Sequence, residues 1–200
     1  MTARRVPIFS TIVVLAAVAT MIALGVWQLG RKAEKEALIA QYQAAVSNDD
    51  PVTFPVAGAE AEIDAVLYRR SAINCLFTVG NWRSISGRSL TGRSGFVHII
   101  GCGTTTATTE ADEIAYVQAG WSADKMPPNW EGGEVSGWIT PNRQGAVRLV
   151  ADPPVGGLAA NAAPDPADLP NNHLAYAGQW FFFALTALVI YVLALRRRRR

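Results

Sequence analysis

Two long stretches without a single charged residue constrain this chain more than any other feature. The first runs from Val6 to Gly30 and the second from Leu174 to Leu195. A helix needs about 20 apolar residues to cross the hydrocarbon core of a bilayer, and both stretches are longer than that. We therefore predict transmembrane helices at residues 6–30 and 173–195. Charged residues make up only 17% of the chain, against about 25% in an average soluble domain, as expected for a membrane protein.

The first stretch has a second interpretation, as a cleaved secretory signal. It follows the basic start MTARR, and Ala17-Val18-Ala19 resembles a small-residue cleavage site. The apolar part of a signal peptide, however, is usually about 7–15 residues long, and the uncharged stretch is longer. A retained helix is therefore the preferred interpretation.

The distribution of charge predicts the orientation of the two helices. Arg4 and Arg5 precede the first helix and Arg196–Arg200 follow the second, while the middle holds the other 11 basic residues with all 16 acidic ones, a net charge of −5. Basic flanks stay in the cytoplasm, so residues 1–5 and 196–200 are expected there. Three basic residues just after the first helix oppose this orientation, but the terminal arginines outweigh them. The pI of about 8.7 thus comes from the chain ends and indicates no nucleic-acid partner.

This layout excludes several classes of protein. Cytoplasmic ends of about five residues leave no room for a kinase, output or nucleotide-binding domain. Neither apolar stretch holds an ionisable group at mid-depth, whereas a transporter needs polar groups along its pathway.

The segment between the helices, residues 31–150, predicts one extracytoplasmic β-rich domain with a leading helix. Residues 31–46 lack Gly and Pro and favour a helical continuation of the first span. Short runs rich in β-branched and aromatic residues follow and predict strands: Val66–Arg70, Ala72–Val79, Phe96–Cys102, Ile114–Trp121, Glu134–Thr140 and Ala146–Val150. Residues 151–172, with five prolines and two glycines, predict a linker. The fold class is an α+β membrane protein in which a helical hairpin flanks a barrel or sandwich.

Few residues in the external segment suggest chemistry. Cys75 and Cys102 lie on different predicted strands, and they form either a disulfide or two unpaired core cysteines. A redox or copper site is disfavoured because the chain has no C-x-x-C and only three methionines. His98 lies in an apolar strand and is interpreted as a core or surface histidine. No nucleophile motif occurs, so we predict that the protein is not an enzyme.

His173 differs, because it stands at the external end of the second span. Helical spacing places Tyr176 and Trp180 on the same face. A histidine followed by aromatic rings suits an axial ligand of haem iron beside a flat macrocycle, but an aromatic belt at the membrane surface gives the same pattern. From spacing alone the belt is favoured. The first span ends with Trp27, Gln28 and Arg31, which a hairpin brings back to the same external depth. Arg31 is either a partner for a propionate-type carboxylate or a snorkelling interfacial residue.

Two stretches resemble the Surfeit locus protein 1 family. Gly25–Lys32, GVWQLGRK, is similar to its N-terminal signature, and Asn171–Ala184, NNHLAYAGQWFFFA, closely matches the signature of its second span. The order of two spans around a large external loop agrees as well. Tyr116–Trp121 resembles a strand of the family, with Ala119 where arginine is expected.

The resemblance implies an assembly factor for haem-copper cytochrome c oxidase that binds haem a and helps insert it into the catalytic subunit. It maps the family's haem-associated histidine onto His173, which makes an axial ligand the favoured role there. Trp27, Tyr176 and Trp180 would then flank the ring, and Arg31 would pair with a propionate. The expected partners are the oxidase catalytic subunit, haem a synthase and the lipid bilayer, in the inner membrane of a bacterium with the external domain in the periplasm. The alternative is a scaffold without cofactor that holds oxidase subunits during assembly.

Overall fold

The computed structural model describes residues 7–56, 58–105, 114–142 and 147–199 and divides them between two compact units. The two terminal segments, up to Ala40 and from Leu169, form a helical unit, and Gln41–Asp168 form a β-rich unit. The elements in chain order are α1 (Ile8–Val46), α2 (Glu60–Val66), β1 (Arg70–Cys75), β2 (Phe77–Arg88), β3 (Ser94–Gly103), β4 (Ile114–Ser122), β5 (Gly133–Pro141), β6 (Val147–Ala151), a 3-10 turn (Pro166–Asp168) and α3 (His173–Arg199).

Helices α1 and α3 have the length and composition of membrane spans. Their most apolar windows have mean hydropathies of 2.4 and 2.0, and only 6% of each window is buried inside the protein. A core helix of a soluble protein would bury most of such a window, whereas these apolar side chains point outward, as contact with lipid requires. Helix α1 continues to Val46, which agrees with the helical extension predicted for residues 31–46.

Small residues let α1 and α3 pack closely. Val18 and Gly25 of α1 and Ala177 and Ala184 of α3 are buried. A Cβ atom on Gly25 would come within 2.5 Å of the Phe181 ring, so the glycine provides the space that the ring occupies. Such small residues are typical of helix interfaces in membranes.

A hydrogen bond also joins α1 to α3 at the opposite end from His173. The Thr11 and Tyr191 hydroxyl oxygens lie 2.5 Å apart. A polar contact between two apolar helices fixes their register, because sliding one helix would leave both hydroxyls without this partner.

The β-rich unit is built on one six-stranded sheet in the order β1-β5-β6-β4-β3-β2. All neighbours are antiparallel except β4 and β6. The two edge strands, β1 and β2, are separated in the chain only by Leu76, whose N–H donates to the Gly103 carbonyl at 2.9 Å. The sheet therefore curls, and it encloses the fully buried side chains of Ile99, Val117, Ile139 and Leu149.

A disulfide resolves the question left open by the two cysteines. Cys75 at the end of β1 is bonded to Cys102 of β3, 27 positions further along the sequence. Cross-linking a loop of that length stabilises a fold by about 3–4 kcal/mol in the chain-entropy treatment. The bond ties the first edge strand to a strand near the other edge and so supports the curl of the sheet.

Strands β3 to β6 lie within two residues of their predicted positions, although Ala146 of the last predicted run is outside the described residues. The predicted strand Val66–Arg70 is wrong. Val66 ends α2, an unpredicted helix, and Tyr68 adopts a left-handed φ of 60°. Its ring is buried against Tyr42 with 4.9 Å between centroids, and this tertiary contact decides the local conformation. The predicted strand Ala72–Val79 is broken at Leu76 into β1 and β2.

The proline-rich segment after β6 packs on the sheet over part of its length. Ala159 exchanges two backbone hydrogen bonds with Trp121 of β4, at 2.8 and 3.0 Å. The buried Asn161 accepts a hydrogen bond from the Gln118 side chain at 3.0 Å. The first part of the segment predicted as a linker thus belongs to the β-rich unit.

Candidate cofactor-binding site

His173 is the first residue of α3, and its position is set by how the helix starts. Pro170 precedes the helix, and the Asn172 carbonyl accepts a hydrogen bond from the Tyr176 N–H at 3.2 Å. This bond is the first of the helical ladder. It places His173 in the first turn, where its side chain is partly buried.

A hydrogen bond to Gln28 of α1 holds the His173 imidazole in place. The Nδ1 atom lies 2.7 Å from Oε1 of Gln28 in α1. An amide oxygen only accepts hydrogen bonds, so Nδ1 carries the hydrogen and donates it. The neutral ring then has its lone pair on Nε2, and the one hydrogen bond of this ring among the described residues is made by Nδ1. A nitrogen with an available lone pair is what a metal ion binds.

The residues that follow His173 divide between two faces of α3. Ala177 and Ala184 are buried, at 1% and 4% exposure, and they define the face that packs inward. Tyr176 is 51% exposed and Phe183 is 50% exposed. His173, Tyr176 and Trp180 keep the helical spacing of the sequence pattern. Tyr176 is exposed, whereas His173 and Trp180 are partly buried.

Three aromatic residues follow His173 along α3, of which Tyr176 and Phe183 are exposed and Trp180 is partly buried. Tyr176, Trp180 and Phe183 follow at helical spacing, and we call these three residues the aromatic stripe. The Trp180 and Phe183 rings meet edge to face, with centroids 6.3 Å apart. Such a pair holds its rings in a defined geometry and offers an apolar surface two to three turns further along the helix.

Among the described residues, no hydrogen bond, ion pair or ring contact joins Trp27 or Arg31 to His173. Trp27 is 57% exposed. The Arg31 guanidinium forms an ion pair with Glu34 one turn further along α1, and both side chains are more than half exposed. The residue that the structure brings to His173 is Gln28, which the sequence places at the same expected depth but to which it assigns no role. A signal for it exists, because Gln28 is a lone amide that follows Val18 and Gly25 at helical spacing on the buried face of α1.

His98 belongs to the core of the β-rich unit, so of the two interpretations, a core or a surface histidine, the first is correct. It has no solvent exposure. Its Nδ1 lies 2.9 Å from the Ser84 hydroxyl and its Nε2 lies 2.7 Å from the Ser122 hydroxyl. Burial lowers the pKa of His98 below its ordinary value, and the Asp124 carboxylate partly opposes this. Both ring nitrogens are occupied, so His98 is a structural residue.

The helical unit offers a single metal-binding side chain, which suits a metal ion that is already coordinated by a cofactor. In the ranges that the structure describes, no group of three or more His, Cys, Asp or Glu side chains is arranged to hold a metal ion. Haem iron is already held by four nitrogens of its macrocycle and needs only an axial ligand from the protein. One available imidazole nitrogen beside the aromatic stripe fits that requirement.

Comparison with protein-family models supplies the family. The model described as the SURF1 family matches residues 15–185. This range begins inside α1, includes the whole β-rich unit and ends inside α3, so it contains Gln28, His173 and the aromatic stripe. No curated protein matches the chain. Because the match spans most of the 200 residues, the chain belongs to the SURF1 family, whose members are assembly factors for cytochrome c oxidase.

Proposed function

We propose that this protein binds haem a through His173 during oxidase assembly and assists insertion of the haem into the catalytic subunit. One observation carries the proposal: Nδ1 of His173 is engaged by Gln28 at 2.7 Å, while Nε2 is left available. Histidine is a common axial ligand of haem iron. A histidine that served only in an interfacial aromatic belt would not need one of its nitrogens held by a neighbouring helix.

The remaining residues of the site have distinct roles in this proposal. When bound, the haem supplies an iron that accepts the His173 nitrogen. Tyr176 and Trp180 cover the apolar ring, and Trp27 extends the same kind of surface from the end of the first span. Arg31 binds a propionate. Its present pair with Glu34 is exposed, and exposed ion pairs contribute little stability, so exchanging one carboxylate for another costs little.

The proposed haem is held weakly enough to be passed on. The chain has only two histidines, and His98 is buried in the β-rich unit with both nitrogens hydrogen-bonded. A single strong axial ligand holds haem iron less firmly than two. This difference favours transfer to a catalytic subunit that offers a more complete set of ligands.

The proposed location is the inner membrane of a bacterium, with both termini in the cytoplasm and the β-rich unit in the periplasm. The charge distribution supports this orientation. The Cys75–Cys102 disulfide supports it too, because disulfides persist in oxidising compartments such as the periplasm. The proposed partners are the oxidase catalytic subunit, which receives the haem, and haem a synthase, which supplies it.

A second candidate is a scaffold without cofactor that holds oxidase subunits during assembly. The aromatic surface of α3 favours it, since Phe182 is 64% exposed and Phe183 is 50% exposed. Large exposed rings on a membrane helix also suit docking against a helix of another protein. The two candidates differ in whether the purified protein carries haem.

The test is an optical spectrum of the protein purified in mild detergent from cells that make haem a. We expect a reduced haem a band in the wild type and its loss in His173→Ala, with recovery when free imidazole is added. Gln179→Ala is the matched control, because Gln179 is an exposed polar residue on the same helix. Normal haem content in His173→Ala would contradict the assigned ligand. Absence of haem from every variant would favour the scaffold.

A further inference from the structure

We propose that Gln28 is a positioning residue that fixes the tautomer and orientation of the His173 imidazole and sets how firmly the haem is held. This inference rests on the proposed function, since it assigns a role at the same site. Its basis is separate, because it concerns a residue of the other helix and a hydrogen bond that the structure shows directly.

The geometry determines which nitrogen is free. Oε1 of Gln28 lies 2.7 Å from Nδ1 of His173 and can only accept a hydrogen bond. A neutral imidazole has one hydrogen for its two nitrogens, so placing it on Nδ1 leaves the lone pair on Nε2. Without Gln28 the hydrogen would also populate Nε2, and that tautomer cannot bind a metal through Nε2. The ring would also lose the contact that limits its rotation.

Packing between the two helices holds the Gln28 amide in place. Gly25, one turn before Gln28, lies against the Phe181 ring, and a Cβ atom there would approach that ring to 2.5 Å. Ala177, one turn after His173, is 1% exposed. The close approach around these small residues puts the amide within hydrogen-bond distance of the imidazole. Gln28 is itself partly buried, which favours a persistent bond.

An amide as the hydrogen-bond partner of His173, rather than a carboxylate, suits a protein that binds haem and then releases it. A histidine that binds a metal usually donates its second N–H to a carboxylate, a backbone carbonyl or water. A carboxylate draws the hydrogen strongly, makes the ring a more basic ligand and strengthens the bond to the metal. The neutral amide of Gln28 orients the ring while adding less basicity. We infer that glutamine at this position gives a defined ligand with a moderate hold on the haem.

Three variants test the inference through haem release and redox properties. Gln28→Leu removes the acceptor at nearly constant volume, and Gln28→Glu replaces it with a carboxylate. Gln179→Leu is the control on α3. The haem-loaded proteins are mixed with excess apomyoglobin to measure the rate of haem loss, and the reduction potential is determined by titration.

We expect Gln28→Leu to lose haem 10–100-fold faster than the wild type, the range typical when an outer-shell partner of a metal ligand is removed. We expect Gln28→Glu to lose haem more slowly and to have a lower reduction potential, because a more basic imidazole stabilises the oxidised iron. Gln179→Leu should match the wild type. A change in helix packing alone would not lower the reduction potential of the haem when the acceptor becomes a negatively charged carboxylate.

The outcomes separate this inference from the proposed function. If the wild type carries haem that His173→Ala loses, while Gln28→Leu and Gln28→Glu both release haem like the wild type, the role of Gln28 is wrong and the ligand assignment stands. If the wild type carries no haem, the proposed function fails first. If Gln28→Leu does not fold, Gln28→Glu still decides, since an unchanged potential and release rate would overturn the inference.

Discussion

At the scale of single residues, His98 shows how a buried histidine makes stability depend on pH. The Ser122 hydroxyl donates to the Asp124 carbonyl at 2.6 Å, so it accepts the hydrogen bond from Nε2 of His98. The Ser84 hydroxyl, 2.9 Å from Nδ1, likewise donates to a backbone carbonyl, that of Lys125, at 3.0 Å. Because the ring is fully buried, a positive charge in this site has no water around it, and this desolvation disfavours the charged form.

We predict that the free energy of unfolding falls as the pH drops below about 6.5, the ordinary pKa of histidine. Burial lowers the pKa of His98 in the folded protein, whereas the unfolded chain takes up the proton near the ordinary value. Acid thus favours the unfolded state, by up to about 1 kcal/mol per pH unit between the two pKa values. Denaturant titrations at pH 7.5 and 5.5 measure the effect, and His98→Gln should reduce it. An equal pH dependence in His98→Gln would assign the effect to carboxylates instead.

Gln28 and Tyr68 show what a sequence lacks at this scale. The polarity of Gln28 is visible in an apolar stretch, but its partner is 145 positions away, and no local pattern pairs the two. Tyr68 lies in a run of strand-forming residues, yet its contact with Tyr42 holds it in a left-handed conformation. His173 can be proposed as a ligand from the sequence because the proposal uses helical spacing and a family signature, and both are properties of contiguous residues.

At the scale of elements, the packing of α1 on α3 depends on the absence of a side chain at Gly25. We predict that Gly25→Leu destabilises the helical unit by about 1–3 kcal/mol, the usual cost of overpacking, because the new side chain must displace the Phe181 ring. The measurement is thermal unfolding in detergent. Gly30→Leu is the matched control in the same helix, since nothing lies within 4 Å of a Cβ atom there.

A double variant checks that the loss comes from this contact. Phe181→Ala removes the ring, so Gly25→Leu combined with Phe181→Ala should cost less than the two single changes added together. Additive costs would show that the leucine acts elsewhere in α1. The same variants should affect haem retention in parallel, because Gln28 is one turn from Gly25.

The elements themselves were predictable to different extents. Long uncharged stretches define α1 and α3, because few other structures use more than 20 consecutive apolar residues. Strands β3 to β6 were found because buried strands are rich in β-branched residues. The break at Leu76 was not predicted, since the run Ala72–Val79 is continuous in composition. The break lies next to the Cys75–Cys102 disulfide and to the hydrogen bond from Leu76 to Gly103, which are tertiary features.

At the scale of the whole molecule, charge is divided between the chain ends and the middle, and this division predicts the orientation in the membrane. Arg4 and Arg5 lie outside the described residues, but the sequence places them before the first span and the five terminal arginines after the second. Near-terminal basic residues resist translocation, while the β-rich unit has a surplus of acidic residues. The disulfide gives independent support for an external β-rich unit.

We predict that a cysteine introduced at the exposed position Ala123 reacts with a membrane-impermeant maleimide in intact spheroplasts. The two native cysteines are joined in the disulfide and do not compete for the reagent. Replacing Arg196–Arg200 with five glutamines should reduce this labelling, because Arg31, Lys32 and Lys35 would then be the dominant basic cluster and would favour the inverted orientation. Labelling after lysis provides the total for each protein.

If Ala123→Cys reacts only after lysis, the β-rich unit is cytoplasmic, and delivery of haem on the periplasmic side is excluded. If labelling persists in the glutamine variant, the orientation is determined by Arg4 and Arg5 or by folding of the β-rich unit, and the terminal arginines serve another purpose.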